Sequence, residues 1–442
     1  MHRITAEDAR ALLPLFQPFA HGGGGSGGTG ARSGAAAPPF AAAARIDRLA
    51  GYDDANFRIR FAGGNAGTEA FAWVLKIHNP ADSAAHGQPG GAMDAQNGLM
   101  LFVAPRAAAA GLRCNRPIAV AGGGGCVATV QLHGRAHSVR MLEFLPGRVL
   151  GAEPQSPQLQ REIGATAARL SGALHGFDHP ALHGLEHDWS LECVAATLRR
   201  KLPQVPASVF QQWQRDLVEA AVARFEAALA RAGGPDLLPR QVCHTDLNEQ
   251  NLLCDETRSK VVGVLDWGDA GYCWRVVEVA VAAAYAMIVA AGPAAPDDHG
   301  TAGGGGGGVT GGGTGSEGGG APAGNGSNGS SIAGGEDHDG AGPVLAAGRR
   351  VVEGYLAAGG PLTDGERDLL PALAAARVAQ SLTNGAVAAG AAPENSAYLL
   401  TTQRTGWGAL RALLGLDEGA LSAALLPAPR RGAAVAPAAL AV

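Results

Sequence analysis

Two short segments decide the fold of this chain: His244-Thr-Asp-Leu-Asn-Glu-Gln-Asn251 and Leu265-Asp-Trp-Gly-Asp269. In the first segment, Asp246 and Asn251 lie near opposite ends of one polar loop. In the second, Asp266 follows an apolar run that predicts a buried strand, which would hold the carboxylate in place. Together the segments indicate a site built from two carboxylates and one amide on neighbouring loops.

Asp246, Asn251 and Asp266 carry the side-chain types that phosphoryl transfer requires. That reaction needs a carboxylate to orient the attacking hydroxyl, oxygen ligands for Mg²⁺ and little covalent help from the protein. Mg²⁺ prefers hard oxygen donors, which Asp and Asn supply. Asp246 is therefore the candidate catalytic residue, and Asn251 and Asp266 are the candidate metal ligands. A polar surface turn is the alternative for residues 244–251 alone, but the strand before Asp266 favours the site.

Three further polar residues lie near these segments. We expect His244 to be structural and to hydrogen-bond the loop rather than to carry a proton. Asp269 fits a substrate contact and a solvated turn residue equally well. Glu278 lies inside an apolar helix, so we expect it to be a buried partner of Arg275 or of another arginine.

An alternating segment earlier in the chain predicts a strand with two different faces. Trp73, Leu75 and Ile77 lie on one face, and Lys76 lies on the other with Val74. From that face the ammonium of Lys76 can reach the phosphates of a nucleotide. A lone strand lysine is usually just solvated, so this role depends on the rest of the site.

A helix is predicted after the lysine strand, from the apolar spacing of Leu99, Met100 and Val103. Asp94 lies near its start. The carboxylate would either pair with Lys76 and position it for a nucleotide, or complement the helix dipole. The sequence favours neither alternative.

A polar turn before the lysine strand is the candidate cover for nucleotide phosphates. Tyr52, Asp53 and Asn56 lie in this turn. It does not read G-x-G-x-x-G, but turns of this composition can present backbone amides to an anion. An ordinary hairpin turn is the equal alternative. These three residues, with Lys76 and Asp94, are the candidate nucleotide-binding residues.

The periodicity changes midway along the chain, from strand-rich to helix-rich, with Pro146 and Gly147 at the joint. This predicts an α+β architecture with two lobes, a strand-rich N-lobe over residues 1–145 and a helical C-lobe over residues 146–426. Three segments lack core-forming residues, and we expect them to be disordered: about 21–44, about 292–342 and 427–442.

Charge and cysteine usage exclude several classes of protein. A net charge of −5 argues against a general nucleic-acid binder. The six cysteines show no metal-binding spacing, which in a chain of this size indicates reduced thiols and a cytoplasmic location. We expect no secretory signal and no membrane span. The expected partners are small molecules, with neither nucleic acid nor membrane among them.

The first two segments resemble the signature of the aminoglycoside phosphotransferase family, H-x-D-x-x-x-x-N followed by D-[FW]-G-D. The resemblance implies a two-lobed, protein-kinase-like fold. It also implies that Asp246 is the catalytic base, that Asn251 and Asp266 bind Mg²⁺, and that Lys76 contacts the nucleotide phosphates. Asp94 departs from the family pattern, which usually has Glu there.

Further motifs over roughly residues 45–415 resemble the hydroxylysine kinases within that family. They include Tyr52-Asp-Asp-Ala-Asn-Phe57, Trp73-Val-Leu-Lys-Ile77 with Gln96-Asn97, Gln380-Ser-Leu382, Pro393-Glu-Asn395 and Thr405-Gly-Trp407. The last three also suit simple helix packing, and we expect Trp407 to be buried. The resemblance implies transfer of the terminal phosphate of GTP, or of ATP, to the hydroxyl of 5-hydroxy-L-lysine.

Two other functions are the alternatives. A kinase for another hydroxyl substrate, such as an aminoglycoside, choline or homoserine, would use the same residues. A nucleotide-binding pseudokinase would serve as an interaction module. Because Lys76, Asp246, Asn251 and Asp266 are all present, the sequence disfavours the pseudokinase.

Overall fold

The computed structural model describes residues 4–16, 44–49, 51, 53–62, 69–185, 187–292 and 341–428. Tyr52, nearly all of the two Gly-rich inserts and most of the tail lie outside these ranges. The expectations made for those residues therefore stay predictions.

The described ranges contain both strands and helices. The strands are β1 (Arg45–Leu49), β2 (Ala55–Ala62), β3 (Glu69–Ile77), β4 (Arg113–Cys114), β5 (Pro117–Ile118), β6 (Ala128–Leu132), β7 (Arg135–Glu143), β8 (Arg148–Val149), β9 (Arg240–Cys243), β10 (Leu252–Cys254), β11 (Val261–Val264) and β12 (Gly271–Trp274). The helices are α1 (Ala6–Leu12), α2 (Pro80–His86), α3 (Ala92–Ala109), α4 (Pro157–Leu174), α5 (Val194–Lys201), α6 (Gln212–Arg231), α7 (Val277–Ala290), α8 (Ala341–Ala357), α9 (Asp364–Ala391), α10 (Ser396–Leu399), α11 (Gln403–Leu414) and α12 (Glu418–Leu425).

An antiparallel sheet forms the core of the N-lobe. Its strands follow the order β1-β2-β3-β7-β5, and β6 pairs with the free part of β7. Lys76 on β3 lies opposite Asn56 on β2 and Arg140 on β7. Because directly opposed residues point to the same face of a sheet, these three polar side chains form one row. The predicted lysine strand is thus confirmed, and its polar face is set by the register.

Helix α1 begins with a capping box, in which Thr5 and Asp8 exchange side-chain and backbone hydrogen bonds. The apolar spacing extends farther, but the helix ends at Leu12 and a short 3₁₀ turn follows over Leu13–Leu15. Pro14 explains the early end, because proline cannot donate the backbone hydrogen bond that a continuing helix needs.

Helix α7 is the centre of the C-lobe. It packs against α4, α8, α9 and α11, and its side chains from Val277 to Ile288 are buried on all faces. Helices α4 and α8 approach closely at Gly164, where glycine is needed. A Cβ atom at this position would lie 1.8 Å from the carbonyl oxygen of Val351. This dense helical packing anchors the loops that carry the polar residues.

Three short strands bring the two deciding segments together. The loop 244–251 runs from β9 to β10, and Asp266 follows β11. Strands β10 and β11 are antiparallel neighbours, and the N–H of Leu265 donates to the carbonyl oxygen of Asn251 at 2.8 Å. Asn251 and Asp266 therefore lie side by side at one end of this hairpin.

The described ranges form an α+β protein with a strand-rich first lobe and a helical second lobe, as predicted. No helix within these ranges has the length and apolar character that a bilayer span requires.

Candidate active site

Lys76 of the N-lobe meets Asp266 of the C-lobe at the cleft between the lobes. Its Nζ atom lies 2.9 Å from Asp266 Oδ1. The ammonium is the first cause of the lowered pKa of Asp266, whereas desolvation acts in the opposite direction. The two residues, predicted to share a site, are thus brought into direct contact.

Asp54 is a second partner of Lys76, with Oδ2 at 3.4 Å from Nζ. The same carboxylate accepts a hydrogen bond from the backbone N–H of Asn79 at 3.0 Å and lies 3.0 Å from Nδ1 of His78. Burial alone would raise the pKa of Asp54, but the charge of Lys76 and the contact with His78 hold it well below its usual range. Asp54 therefore stays charged and fixes the lysine.

Of the two alternatives for Asp94, the structure shows the charge near a helix start and not the pairing with Lys76. Asp94 accepts a hydrogen bond from the backbone N–H of Gly90 at 2.9 Å, near the start of α3. The carboxylate is one methylene shorter than glutamate, and the lysine is already neutralised by Asp54 and Asp266. Asp94 thus follows the other alternative, a charge at a helix N-terminus.

Helix α3 still contacts the site, through Gln96. Its Nε2 donates to the carbonyl oxygen of Gly268 at 2.6 Å, and its Oε1 accepts from Nη1 of Arg140 at 3.2 Å. Arg140 is 2% exposed and also donates from Nε to Nε2 of His78 at 3.0 Å. Sequence reasoning missed Arg140, although an arginine between Val139 and Met141 in an apolar strand is the signal that could have found it.

Asp246 is held by three side chains. Its Oδ1 accepts from Nη2 of Arg377 at 2.7 Å, and its Oδ2 accepts from Nδ2 of Asn251 at 2.6 Å and of Asn248 at 2.9 Å. The carboxylate remains partly accessible, with 18% of the side chain exposed. Asp246 is thus oriented from inside the protein and open toward the cleft.

Arg377 on α9 is a residue of the candidate site that sequence reasoning missed. It is 1% exposed, and its Nη1 donates to the carbonyl oxygen of Trp189 at 3.1 Å. The guanidinium also lies over the rings of Trp189 and Tyr285, at 4.9 and 5.5 Å from their centroids. A buried cation needs such partners. Nothing local in the sequence around 377 connects this helix with a loop more than a hundred residues earlier.

The predicted role of Glu278 is also wrong. Arg275 pairs with Glu366 at 2.5 Å, whereas Glu278 accepts from the backbone N–H groups of His244 at 2.5 Å and Thr245 at 3.3 Å. Thr245 has a φ of +67°, a left-handed conformation that is costly for a β-branched residue. Glu278 therefore stabilises a strained backbone immediately before Asp246.

His244 is structural, as predicted. The N–H of Asp246 donates to its Nδ1 at 3.3 Å, so Nε2 carries the proton and donates to the carbonyl oxygen of Leu265 at 2.9 Å. Burial lowers its pKa and favours this neutral form. His244 joins the two loops and does not face the cleft, because it is fully buried.

Asn251 and Asp266 fit a Mg²⁺ ion. Asn251 donates from Nδ2 to Asp246, which leaves its amide oxygen for another partner, and Asp266 uses Oδ1 for Lys76. In the described part of the chain, His, Cys, Asp and Glu do not form a group of three or more that could hold a metal by themselves. Mg²⁺ bound here would therefore take further oxygen ligands from nucleotide phosphates, as this cation usually does.

The polar turn with Asp53 comes before β2, and Asn56 lies on that strand rather than in the turn. A Cβ atom at Gly51 would lie 2.6 Å from Nδ2 of Asn56, so the turn is tight at this point. The Oδ1 atom of Asn56 is buried and has no hydrogen-bond partner in the described ranges. Desolvation, and then the charge of Asp54, raise the pKa of Asp53 to about 6. Tyr52, the third candidate, lies outside the described residues.

A cavity of about 130 Å³ lies beside the loop that carries Asp246. Thr245, Asp269, His187 and Tyr272 are among its lining residues. Burial raises the pKa of Asp269, and its backbone carbonyl accepts from Oγ1 of Thr245 at 2.8 Å. Asp269 is therefore part of a cavity wall next to the catalytic loop, rather than a solvated turn residue.

Comparison with curated proteins finds similarity over most of the chain. A hydroxylysine kinase from Mus musculus is 27% identical over 394 residues, covering 85% of this chain and 86% of that protein. A hydroxylysine kinase from Bos taurus is 26% identical with the same coverage. The similarity thus extends beyond the catalytic loops into the C-terminal helices.

Comparison with solved structures shows the fold. A microcompartment-associated aminopropanol kinase aligns with a TM-score of 0.56 and 16% identity, covering 94% of this chain and all of that one. The amicoumacin kinase hAmiN aligns with a TM-score of 0.50 and 14% identity, covering 85% and 91% of the two chains. The two-lobed, protein-kinase-like fold expected from the sequence is confirmed.

The family model of the phosphotransferase enzyme family, APH, matches residues 47–312, which is more than half of the chain. That range includes Lys76, Asp246, Asn251 and Asp266, the residues that the structure gathers at the cleft. The chain belongs to the APH phosphotransferase family and is a phosphotransferase that acts on a hydroxyl group of a small molecule.

Proposed function

We propose that this enzyme transfers the terminal phosphate of GTP, or of ATP, to the side-chain hydroxyl of 5-hydroxy-L-lysine, with Mg²⁺ as the cofactor. The observation that carries the proposal is the similarity to curated hydroxylysine kinases over 85% of the chain. The resemblance in sequence motifs, such as Gln380-Ser-Leu382, also lies outside the loops that all kinases of this fold need.

The proposed donor site lies between the N-lobe sheet and the end of the β10–β11 hairpin. Lys76 binds the phosphates, and Asp54 and Asp266 hold its ammonium in the cleft. Asp53 belongs to the turn that covers the nucleotide, and Asn56 follows that turn on β2, opposite Lys76. Asn251 and Asp266 would hold Mg²⁺, which would supply positive charge for the phosphates.

The proposed reaction is a direct displacement at phosphorus. The hydroxyl oxygen of the acceptor attacks the terminal phosphorus, and the bond from that phosphorus to the bridging oxygen of the nucleoside diphosphate breaks. Asp246 accepts the hydroxyl proton and orients the attacking oxygen. Arg377, Asn248 and Asn251 keep the carboxylate in one orientation, so the attacking geometry is prepared before the acceptor binds.

Carboxylates near Asp246 suit an acceptor that carries ammonium groups. Asp269 lines the adjacent cavity. Glu249 lies in the catalytic loop, and its Oε2 atom is buried without a hydrogen-bond partner among the described atoms. An ammonium group of the acceptor would satisfy such an oxygen. Both residues are part of the proposal for the acceptor site.

A substrate panel tests the proposal. The purified full chain is offered 5-hydroxylysine, choline, homoserine and kanamycin, each with GTP and with ATP, and nucleoside diphosphate release is measured. Among these acceptors, we expect turnover with 5-hydroxylysine alone, and we expect it to require Mg²⁺. Turnover confined to another acceptor would overturn the substrate assignment and keep the kinase assignment.

The pseudokinase alternative is tested by Asp246→Asn. This variant keeps the size of the side chain and removes its ability to take a proton. If nucleotide turnover were the same as in the wild type, Asp246 would have no catalytic role.

The cytoplasmic location that the cysteines indicate also stays a prediction.

A further inference from the structure

The segment Pro393–Leu399 lies in the last quarter of the chain and belongs to neither catalytic loop. A short 3₁₀ turn covers Pro393–Asn395, and helix α10 follows it. Its sequence motif also suits plain helix packing. In the structure, however, the segment reaches across the cleft to the N-lobe.

Asn395 connects the two lobes through one hydrogen bond. Its Nδ2 donates to the carbonyl oxygen of Gly51 at 3.1 Å, across 344 residues of chain. Gly51 lies in the turn that contains Asp53 and precedes β2, the proposed cover of the nucleotide. The bond therefore ties that turn to the C-lobe.

Helix α9 holds the segment firmly in place. A Cβ atom at Gly385 would lie 2.5 Å from the carbonyl oxygen of Leu399, so helix and segment touch at the backbone. Just beyond the segment, Oγ1 of Thr402 lies 3.1 Å from Oγ of Ser381, and Nε2 of Gln403 donates to the carbonyl oxygen of Leu382 at 2.7 Å. The same helix supplies Arg377 to Asp246, so one rigid element supports both the catalytic carboxylate and this segment.

We propose that Pro393–Leu399 is a third wall of the active site, in which Asn395 positions the nucleotide-covering turn through its bond to Gly51. The proposal deepens the proposed function and rests on it, because it assigns the turn at Gly51 to the nucleotide. Asn395 is a positioning residue, since it acts through the backbone of that turn.

Asn395→Ala tests the positioning role. The variant removes the bond to Gly51, and we expect the dissociation constant for a fluorescent GTP or ATP analogue to rise about tenfold, the equivalent of one lost hydrogen bond of about 1.4 kcal/mol. Asn395→Asp should bind the nucleotide analogue no more tightly than Asn395→Ala, because a carboxylate cannot donate a hydrogen bond to the Gly51 carbonyl. The catalytic rate at saturating nucleotide should change much less than the KM for nucleotide.

Thr401→Ala is the matched control. Thr401 caps the same segment with a 2.7 Å bond to the carbonyl oxygen of Tyr398 and makes no described contact with the N-lobe. The melting temperature of each variant separates a local effect from unfolding. If Asn395→Ala and Thr401→Ala changed nucleotide affinity equally, the positioning role would be refuted.

Nucleotide binding without acceptor distinguishes the two levels of failure. A wild-type chain that binds no nucleotide analogue contradicts the proposed function. A wild-type chain that binds it as tightly as Asn395→Ala contradicts the third wall alone.

Discussion

The Nζ atom of Lys76 lies 2.9 Å from Oδ1 of Asp266, although 190 residues separate them in the chain. This contact joins the N-lobe sheet to the proposed metal-binding hairpin. The residue proposed to bind the nucleotide and the residue proposed to bind Mg²⁺ therefore pair with each other before either ligand binds. Asp54 completes the arrangement, because it keeps the ammonium in the cleft when Asp266 turns to a cation.

Asp54→Asn should weaken nucleotide binding more than Asp94→Asn. The first variant removes a charge that pairs with Lys76 and His78, so we expect the KM for nucleotide to rise about tenfold or more. The second removes only a charge near a helix start, and the KM should change less than about twofold. Steady-state kinetics with varied nucleotide measures both, and a larger effect of Asp94→Asn would restore it as the lysine partner.

Arg377→Met should reduce both activity and stability. The variant leaves Asp246 without its cationic partner, and loss of one member of a buried ion pair costs about 3–5 kcal/mol. We expect kcat to fall about a hundredfold, because the carboxylate loses its fixed orientation. Arg377→Lys keeps the charge but not the fork of donors, so it should recover part of the activity.

Arg350→Met is a suitable comparison for Arg377→Met in the same urea titration. Arg350 donates to Gln160 outside the active site. Its replacement should leave kcat unchanged. A normal kcat in folded Arg377→Met would show that Asp246 needs no support from α9.

Asp266→Asn should raise the concentration of Mg²⁺ needed for half-maximal activity. An amide oxygen is a weaker ligand than a carboxylate for this hard cation. Activity of the wild type should also be lost on chelation and restored by added Mg²⁺. Asp255→Asn serves as the control, because Asp255 lies at the other end of the same hairpin and binds Thr257, Ser259 and Lys260. Equal Mg²⁺ dependence in the two variants would exclude Asp266 as a ligand.

Glu278→Gln should flatten the pH dependence of stability. Burial raises the pKa of Glu278 to about 7, from an ordinary value of 4.5. Between these values the folded state keeps a proton that the unfolded state has released, so stability falls as pH rises through 7. The loss is on the order of 3 kcal/mol, and glutamine, which cannot ionise, should remove it.

Urea unfolding at about pH 5 and about pH 8 measures this difference. The glutamine variant should be less stable than the wild type at both pH values, since its single amide oxygen replaces two carboxylate oxygens as acceptor for the N–H groups of His244 and Thr245. The difference in the free energy of unfolding between wild type and variant should nevertheless be smaller at the higher pH. Glu219→Gln, on the exposed side of α6, is the control and should show the same pH dependence of stability as the wild type. If the stability difference between wild type and Glu278→Gln grew with pH, the raised pKa of Glu278 would be contradicted.

Much of the site could be predicted because its residues sit in local patterns. Asp246 and Asn251 share one loop, and Asp266 ends a strand whose apolar run is visible in the sequence. Alternation placed Lys76 on the polar face of β3. Such features depend on neighbours within a few residues, so a single sequence shows them.

The partners of these residues were predicted less well. Pairing with Lys76 is one of two roles that the sequence leaves open for Asp94, and Asp54 holds that place instead. Glu278 binds a backbone and not the predicted arginine. Both cases concern which charge meets which across the fold. Several carboxylates lie near the strands and loops of the site in the sequence. Only the packing of α3, α7 and the turn before β2 decides which of them makes each contact.

The fold class, the two loops of the site and the lysine strand can be predicted from local periodicity and spacing. The contacts of Arg377 with Asp246, of Asp54 with Lys76 and of Asn395 with Gly51 arise only in the folded chain. These contacts join elements far apart in the chain. Their geometry depends on how helices and sheet pack against one another, which no short stretch of residues encodes.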